Sequence, residues 1–389
     1  MTTAAARHGG GRVRAAVVID HPVQYFAPAF RLLAADARLR TSVYYWNEIP
    51  GGTYDPGFDR HVRWSTDLHG GYDWWTPRRQ APAWNRGAEL LRRLVRDRPS
   101  AMLCFGWASP AARLGILHAS TTRTPLLYYG DTNPRSTVTR RHPRLRSLGL
   151  RGMFRLAAGA VATGAFNREF YLAHGMGPGR VHPGVLPSDV EQFAAAARRG
   201  DDSRPLVIGF AGKFIRIKAA DDLVAAAARL PRDTPWELRL IGDGPLRPEL
   251  ESLVGECGLR DRVRFLGFKN TDELPALFAD VDIMVVPSHL EARGIVAVEA
   301  MAAGAAVVVS SATGVWGPGD VLEHERSGLV FPAADTGALT ACLQRLMRDG
   351  DLRARLAREA RVRVAGEGPE GFASTAAAAL LAVARRGRR

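Results

Sequence analysis

Short, unbroken apolar runs recur along the chain. Each is closed by a loop rich in glycine, proline or charge, and most are followed by apolar positions at helical spacing. Val13 to Asp20, Thr41 to Tyr45, Ala101 to Phe105, Leu126 to Tyr129, Ala160 to Thr163 and Val181 to Val185 are such runs in the first half. Leu206 to Ala211, Trp236 to Ile241, Val263 to Phe268, Ile283 to Val286, Ala306 to Ser310 and Gly328 to Pro332 repeat the beat in the second. Runs that do not alternate with polar residues predict strands covered on both faces, as parallel sheets are. Between them, helical spacing predicts helices ending near Ala35, over Ala88 to Arg96, from Pro110, over 144 to 158 and over Asn167 to His174. Later helices are predicted from Leu246, over Leu274 to Asp280, up to Ala303, over Thr336 to Asp349, from Asp351 and over Phe372 to Arg386. Ala194 to Arg204 is small, charged and turn-rich and reads as a linker, and residues 1 to 12 read as disordered. The pattern predicts an α/β protein of two Rossmann-like, doubly wound domains, residues 1–195 and 204–368, facing a cleft, with a last helix in 369–389.

Open parallel sheets bind ligands beyond the carboxyl ends of their strands, so the strand exits hold the candidate chemistry. The first strand leads into His21-Pro22-Val23-Gln24-Tyr25-Phe26, which nominates His21, Gln24 and Tyr25. Gly106-Trp107 and Gly130-Asp131-Thr132-Asn133 leave later strands at the same edge and add Trp107 and Asp131, for which a capping role fits equally. Residues 46 to 85 are rich in aromatics (Trp46, Tyr54, Trp64, Tyr72, Trp74, Trp75, Trp84), expected mainly to pack, with one or two lining the cleft. In the second half, Pro287 to Met301 breaks a strand and re-enters as a helix, with Glu291 in the loop, Glu299 inside the helix and Gly294 between them. Free amides and the positive helix end at Gly294 and Ile295 suit an anion. Two carboxylates flanking that point suit a hydroxylated ligand with a central phosphate. Spacing alone leaves a capping and a solvated glutamate as an equal reading.

Glu291 and Glu299, with the following Ala-Met-Ala-Ala-Gly304, the strand Ala306 to Ser310 and Gly314, resemble the E-x7-E region of retaining GT-B glycosyltransferases of family 4. Gly212-Lys213-Phe214-Ile215-Arg216-Ile217-Lys218 is similar to that family's Gly-Arg-…-Lys-Gly segment, with Lys213 where arginine is usual and Ala219 where glycine is usual. A lysine offers a point charge in place of arginine's planar fork. Gly242-Asp243-Gly244 resembles the nucleotide-side loop, and Val263 to Phe268, including Gly267, the strand whose backbone lies against the base. The first loop lacks the common glycine pair and resembles a subset starting His-Pro-(Val/Ile)-Gln-Tyr-Phe. The resemblance implies sugar transfer from a nucleotide-sugar donor to a glycan, lipid-linked or small natural-product acceptor, with retention and without a metal or other cofactor. It implies Glu299 on the ribose diol, Glu291 on sugar hydroxyls, and Lys213, Lys218 and the Gly294 and Ile295 amides on the departing diphosphate. Arg293, where phenylalanine is usual, either adds charge near the phosphates or points away. His21, Gln24, Tyr25, Trp107 and Asp131 fall on the acceptor side, no second carboxylate stands out as a nucleophile, and the last helix is expected to cross back onto the first domain. An epimerase or hydrolase of the same fold, or a non-catalytic nucleotide-sugar or nucleic-acid binder, is the alternative. Asp280-Val281-Asp282 looks superficially like a metal-binding Asp-x-Asp but joins a helix end to a strand and reads as structural.

Composition adds little to this except through charge. A chain of 389 residues with 46% hydrophobic and 24% charged residues is ordinary for two domains. The net charge of +14 fits an anionic membrane surface, an acidic acceptor, or simply a solvated arginine-rich surface. Arginines gather at 140 to 155 and in the tail Arg385-Arg386-Gly387-Arg388-Arg389. Without zinc-finger spacing or an RNA-binding aromatic motif, nucleic acid is not the expected partner. Three scattered cysteines, no leader-like start and no apolar run long enough to span a bilayer predict a cytoplasmic protein, with peripheral attachment at the inner membrane face as an option.

Overall fold

The computed structural model describes residues 11–48, 53–62, 66–132, 134, 143–197 and 204–386. The expected disorder of the first ten residues, Trp64, Asn133, Arg140-Arg141, the middle of the linker and the last three residues lie outside the described residues.

The first sheet has seven strands, all parallel, in the order β5-β2-β1-β6-β7-β8-β9. They are β1 (Val13–Ile19), β2 (Leu39–Tyr45), β5 (Asp73–Trp75), β6 (Ala101–Phe105), β7 (Leu126–Gly130), β8 (Gly159–Ala162) and β9 (Val181–Pro183). A separate antiparallel hairpin, β3 (Thr53–Asp55) and β4 (Arg60–Val62), projects between β2 and β5. The second sheet is also parallel, β12-β11-β10-β13-β14-β15, from β10 (Leu206–Ala211), β11 (Trp236–Ile241), β12 (Val263–Gly267), β13 (Ile283–Val286), β14 (Ala306–Ser310) and β15 (Leu329–Phe331). Helices α1 (Phe26–Ala35), α2 (Ala83–Asp97), α3 (Pro110–Thr122), α4 (Pro143–Leu156) and α5 (Ala165–Ala173) clothe the first sheet, and α6 (Val190–Ala196) leads to the linker. Helices α7 (Ala220–Ala227), α8 (Arg247–Glu256), α9 (Leu274–Ala279), α10 (Ile295–Ala303), α11 (Thr336–Arg348) and α12 (Gly350–Val364) belong to the second half, and α13 (Pro369–Arg386) follows.

The unbroken apolar runs are explained by burial on both faces. Along β1, Val13, Ala15, Val17 and Ile19 enter one hydrophobic cluster, and Ala16 and Val18 enter another on the opposite face. The first of these clusters is closed by α13, from the far end of the chain. Phe372 is fully buried there, with ring centroids 5.3 Å from Tyr129, 5.6 Å from Phe26 and 5.9 Å from Phe30. Burying one such ring is worth roughly 1.5–3 kcal/mol. The helix thereby ties the chain's end to its first domain.

Helix starts follow their caps. Ser109 accepts from the Ala112 amide at 3.2 Å with Pro110 at the first turn, and Asp335 accepts from Ala338 at 2.8 Å. Asp189 likewise caps α6, so the helix begins before the segment read as linker. The hairpin β3–β4 and the edge strand β5 arise where the aromatic-rich sequence read as loop. Three-residue strands carry too little periodicity to announce themselves. In that stretch Trp46 is buried under Arg86, and Tyr72 pairs its hydroxyl with Tyr45 at 2.7 Å, whereas Trp84 is exposed. Asp282 is held by Arg204 at 2.9 Å and by the Val207 amide at 2.7 Å, while Arg239 lies 3.6 Å from Asp280. Both aspartates of the Asp-x-Asp thus have structural partners. No helix among the described residues is long and apolar enough to cross a membrane.

Candidate active site

The carboxyl edges of the two sheets meet across a cleft. On the second-domain side, β13 ends at Val286 and the chain turns through Pro287 to Arg293 into α10. Gly294 stands at the helix start with φ of +90°, a conformation that side chains other than glycine's tolerate poorly. No side chain caps this helix, so its first-turn amides are left for a ligand. Gly294 and Ile295 line a cavity of about 170 Å³ together with Lys218, Ser288, Glu291 and Asp131.

Within it Glu291 forms an ion pair with Lys218, and Ser288 Oγ donates to the same carboxylate oxygen at 3.4 Å. Lys218 ends the short helical turn Arg216–Lys218 after β10. Ala219, where the resembled motif has glycine, follows with φ of +50°. The left-handed backbone is what makes glycine the usual residue there. Asp131, at the exit of β7, is the first-domain wall of the cavity. Burial first, and the nearby Glu291 second, hold its carboxyl above the usual range.

A second, wider cavity of about 410 Å³ adjoins the first at Lys218 and is lined by Tyr25, Phe58, Gly212, Lys213, Phe268 and Glu299, among others. The loops after β10 and β11 touch in its floor. A Cβ on Gly242 would lie 1.9 Å from the Gly212 carbonyl oxygen, so only glycine fits that crossing. Gly267 accepts the Gly242 amide at 2.9 Å and ends β12 beside Phe268. Glu299 is buried to 2% exposure and receives the Ser188 hydroxyl at 3.2 Å. Burial pushes its carboxyl up to about 8, above the ordinary carboxylate range. Burial, with Glu299 close by, also raises Tyr25. Gln24 is buried on the same wall with Oε1 lacking a partner among the described residues, and His21, on the rim, is exposed and 3.3 Å from Asp20.

Two candidates are engaged by neighbouring side chains, Arg293 in one of the two placements left open for it. Arg293 is 4% exposed, and its guanidinium is engaged by Asp320 at 2.6 Å, by Glu367 at 3.3 Å and by the Gly314 carbonyl at 3.2 Å. Its charge is matched by these carboxylates, and it lines the floor of the first cavity. Trp107 stacks on Phe170 at 5.7 Å and meets Tyr128 and Phe154 edge-on, within the aromatic cluster under the sheet. It is half-buried there, with three rings packed against it.

Other site residues were not singled out in the sequence. Asp55, on the hairpin turn, holds Lys213 Nζ at 2.8 and 2.9 Å across the domains. Phe58 packs edge-on to Phe268 at 4.9 Å, with the Arg60 guanidinium 4.6 Å from that ring. The turn motif Asp55-Pro56-Gly57 was a legible signal, but its contact with residue 213 was not. Ser188, which reaches Glu299, had no motif to mark it.

Two parallel Rossmann-like sheets with a nucleotide-sized cleft between their carboxyl edges define the GT-B fold. Anabaena HepE in complex with UDP shares it at a TM-score of 0.70, with 18% identity over 95% of this chain and 100% of that one. Residues 191–363 match the family model described as Glycosyl transferases group 1. Alpha-D-kanosaminyltransferase of Streptomyces kanamyceticus is 35% identical over 164 residues, 42% of either chain. D-inositol 3-phosphate glycosyltransferase of Salinispora arenicola is 36% identical over 200 residues, 46% of this chain and 44% of the relative. The chain thus spans less than half the length of the curated relatives it matches.

Proposed function

We propose that the protein is a glycosyltransferase that moves a sugar from a nucleoside-diphosphate sugar to an acceptor hydroxyl, with retention at the anomeric carbon and with lysines in place of a metal ion. The observation that carries the reading is the Lys218–Glu291 pair beside the uncapped start of α10, with Asp131 on the opposite wall. The family match over 191–363 and the UDP complex of a protein of the same fold support it.

In this reading the diphosphate lies on the Gly294 and Ile295 amides, with Lys218 and Lys213 opposing the charge that develops as it departs. Gly212, Gly242, Gly267 and Phe268 frame the nucleoside, Glu299 takes the ribose diol, and Glu291 positions the sugar. Asp131, Tyr25, Gln24 and His21 face the acceptor: a glycan, a lipid-linked saccharide or a small natural product. Burial raises the Asp131 carboxyl, and the other carboxylate of this cavity, Glu291, is engaged by Lys218. That favours same-face transfer, in which the bond to the leaving phosphate breaks as the acceptor oxygen bonds to carbon and a phosphate oxygen takes the acceptor's proton.

The test is calorimetry with UDP, GDP, ADP and dTDP in buffers of different ionisation heat. Glu299 titrates near 8 when the site is empty, and diol hydroxyls favour its charged form. Binding therefore releases a proton below pH 8, and affinity rises with pH toward that value. Glu299→Gln should bind more weakly and release none. Failure of every nucleotide to bind would overturn the reading, and binding without proton release would move Glu299 away from the ribose.

Asp55 occupies Lys213 where the diphosphate is expected. Asp55→Asn should tighten nucleoside-diphosphate binding about fivefold, since a partly exposed ion pair is worth ~1 kcal/mol. An unchanged or weaker Kd would show that the two do not compete.

A further inference from the structure

We propose that the exposed face of α4 is a docking surface for an anionic lipid bilayer. The helix buries Leu150 and Phe154 against the first sheet yet leaves Leu145, Leu148 and Leu156 at 68%, 68% and 76% exposure. At 100° per residue, Leu145, Gly149, Gly152 and Leu156 fall in one stripe roughly 60° wide, with Leu148 on its flank. The glycines of the stripe are exposed and small, so the leucines stand proud of the surface. Beside the stripe, Arg144, Arg151 and Arg155 form a second row, also exposed. No acidic residue occurs between positions 143 and 156.

The pairing of the two rows selects the occupant. A basic helix with protruding leucines lies in the headgroup layer with its apolar edge at the acyl boundary and its cations among lipid phosphates. A second copy of this chain would set arginine row against arginine row on a protein already at +14. A nucleic acid would satisfy the arginines and leave the leucines in water. Helix α4 also starts from the edge of the sheet that carries the cleft, since it follows β7 and Asp131. Docking it would bring the acceptor side of the cleft beside the headgroups.

Co-sedimentation of the full chain with vesicles tests this. The protein should pellet with phosphatidylcholine vesicles containing phosphatidylglycerol, weakly or not at all with phosphatidylcholine alone, and less as salt is raised. Leu145→Ser/Leu148→Ser should lower partitioning about tenfold or more at unchanged melting temperature, as should Arg144→Gln/Arg151→Gln/Arg155→Gln. Three results would each overturn the proposal: no pelleting at low salt, pelleting indifferent to the leucines, or a wild-type dimer that the leucine variant turns into a monomer.

Discussion

Lys218→Ala is expected to lower kcat for sugar transfer by about two to three orders of magnitude, or roughly 3–4 kcal/mol of transition-state stabilisation, the usual loss when one fixed donor facing a developing anion is removed. Lys218 lines both cavities, and its ammonium is held on Glu291. In the proposed mechanism the substitution removes a cation from the departing phosphate and frees the carboxylate that would position the sugar. Lys213, which leaves a different part of the loop and pairs with Asp55, does not take over the contact with Glu291. The pair is partly exposed, so the fold should lose no more than ~1 kcal/mol and the melting temperature should change little. Initial rates at saturating donor, alongside a melting curve, separate the two effects. Wild-type kcat in a folded Lys218→Ala variant would remove Lys218 from the chemistry.

Arg293→Met should cost about 3–5 kcal/mol of stability, because it strands buried carboxylates rather than removing a pair. Asp320 is 1% exposed at its side chain and Glu367 is 14% exposed. The cluster also joins the domains: the Ala165 amide of the first domain donates to Asp320 at 2.8 Å, and a Cβ on Gly164 would lie 2.3 Å from the Arg293 guanidinium. Burial already raises the Glu367 carboxyl against Arg293's opposing pull. Without the arginine it rises further. A carboxyl whose folded pKa exceeds its unfolded one loses stability as pH climbs from the unfolded toward the folded value. The variant's deficit should therefore shrink in acid and grow toward neutral pH, as denaturant titrations across that range would reveal. A deficit below ~1 kcal/mol, or one independent of pH, would contradict the role assigned to the cluster.

The elements were legible because parallel strands covered on both faces must be apolar throughout. Val13 to Asp20 or Ile283 to Val286 can be read with no knowledge of their neighbours. Gly294, Glu291 and Glu299 fall in one short segment of strand, glycine-bearing break and apolar helix, and there the resemblance to a family motif, not spacing alone, singled them out. Contacts between distant segments had no such local trace. Arg293 departs from the family's usual phenylalanine, and its partners Asp320 and Glu367 lie far along the chain. Trp107 was nominated by its place at a strand exit, and its packing on Phe154 and Phe170 had no local trace either.

The sequence by itself therefore determined the two-sheet α/β architecture, which follows from local periodicity, and nominated the strand exits and the Glu291–Gly294–Glu299 segment, the latter through its resemblance to a family motif. Tertiary structure alone decided that Asp55 meets Lys213, that Asp131 faces Glu291 and that Ser188 reaches Glu299. Each of these depends on long-range packing that brings two remote stretches together, and the burial that raises the Glu299 and Asp131 carboxyls exists only once they have met.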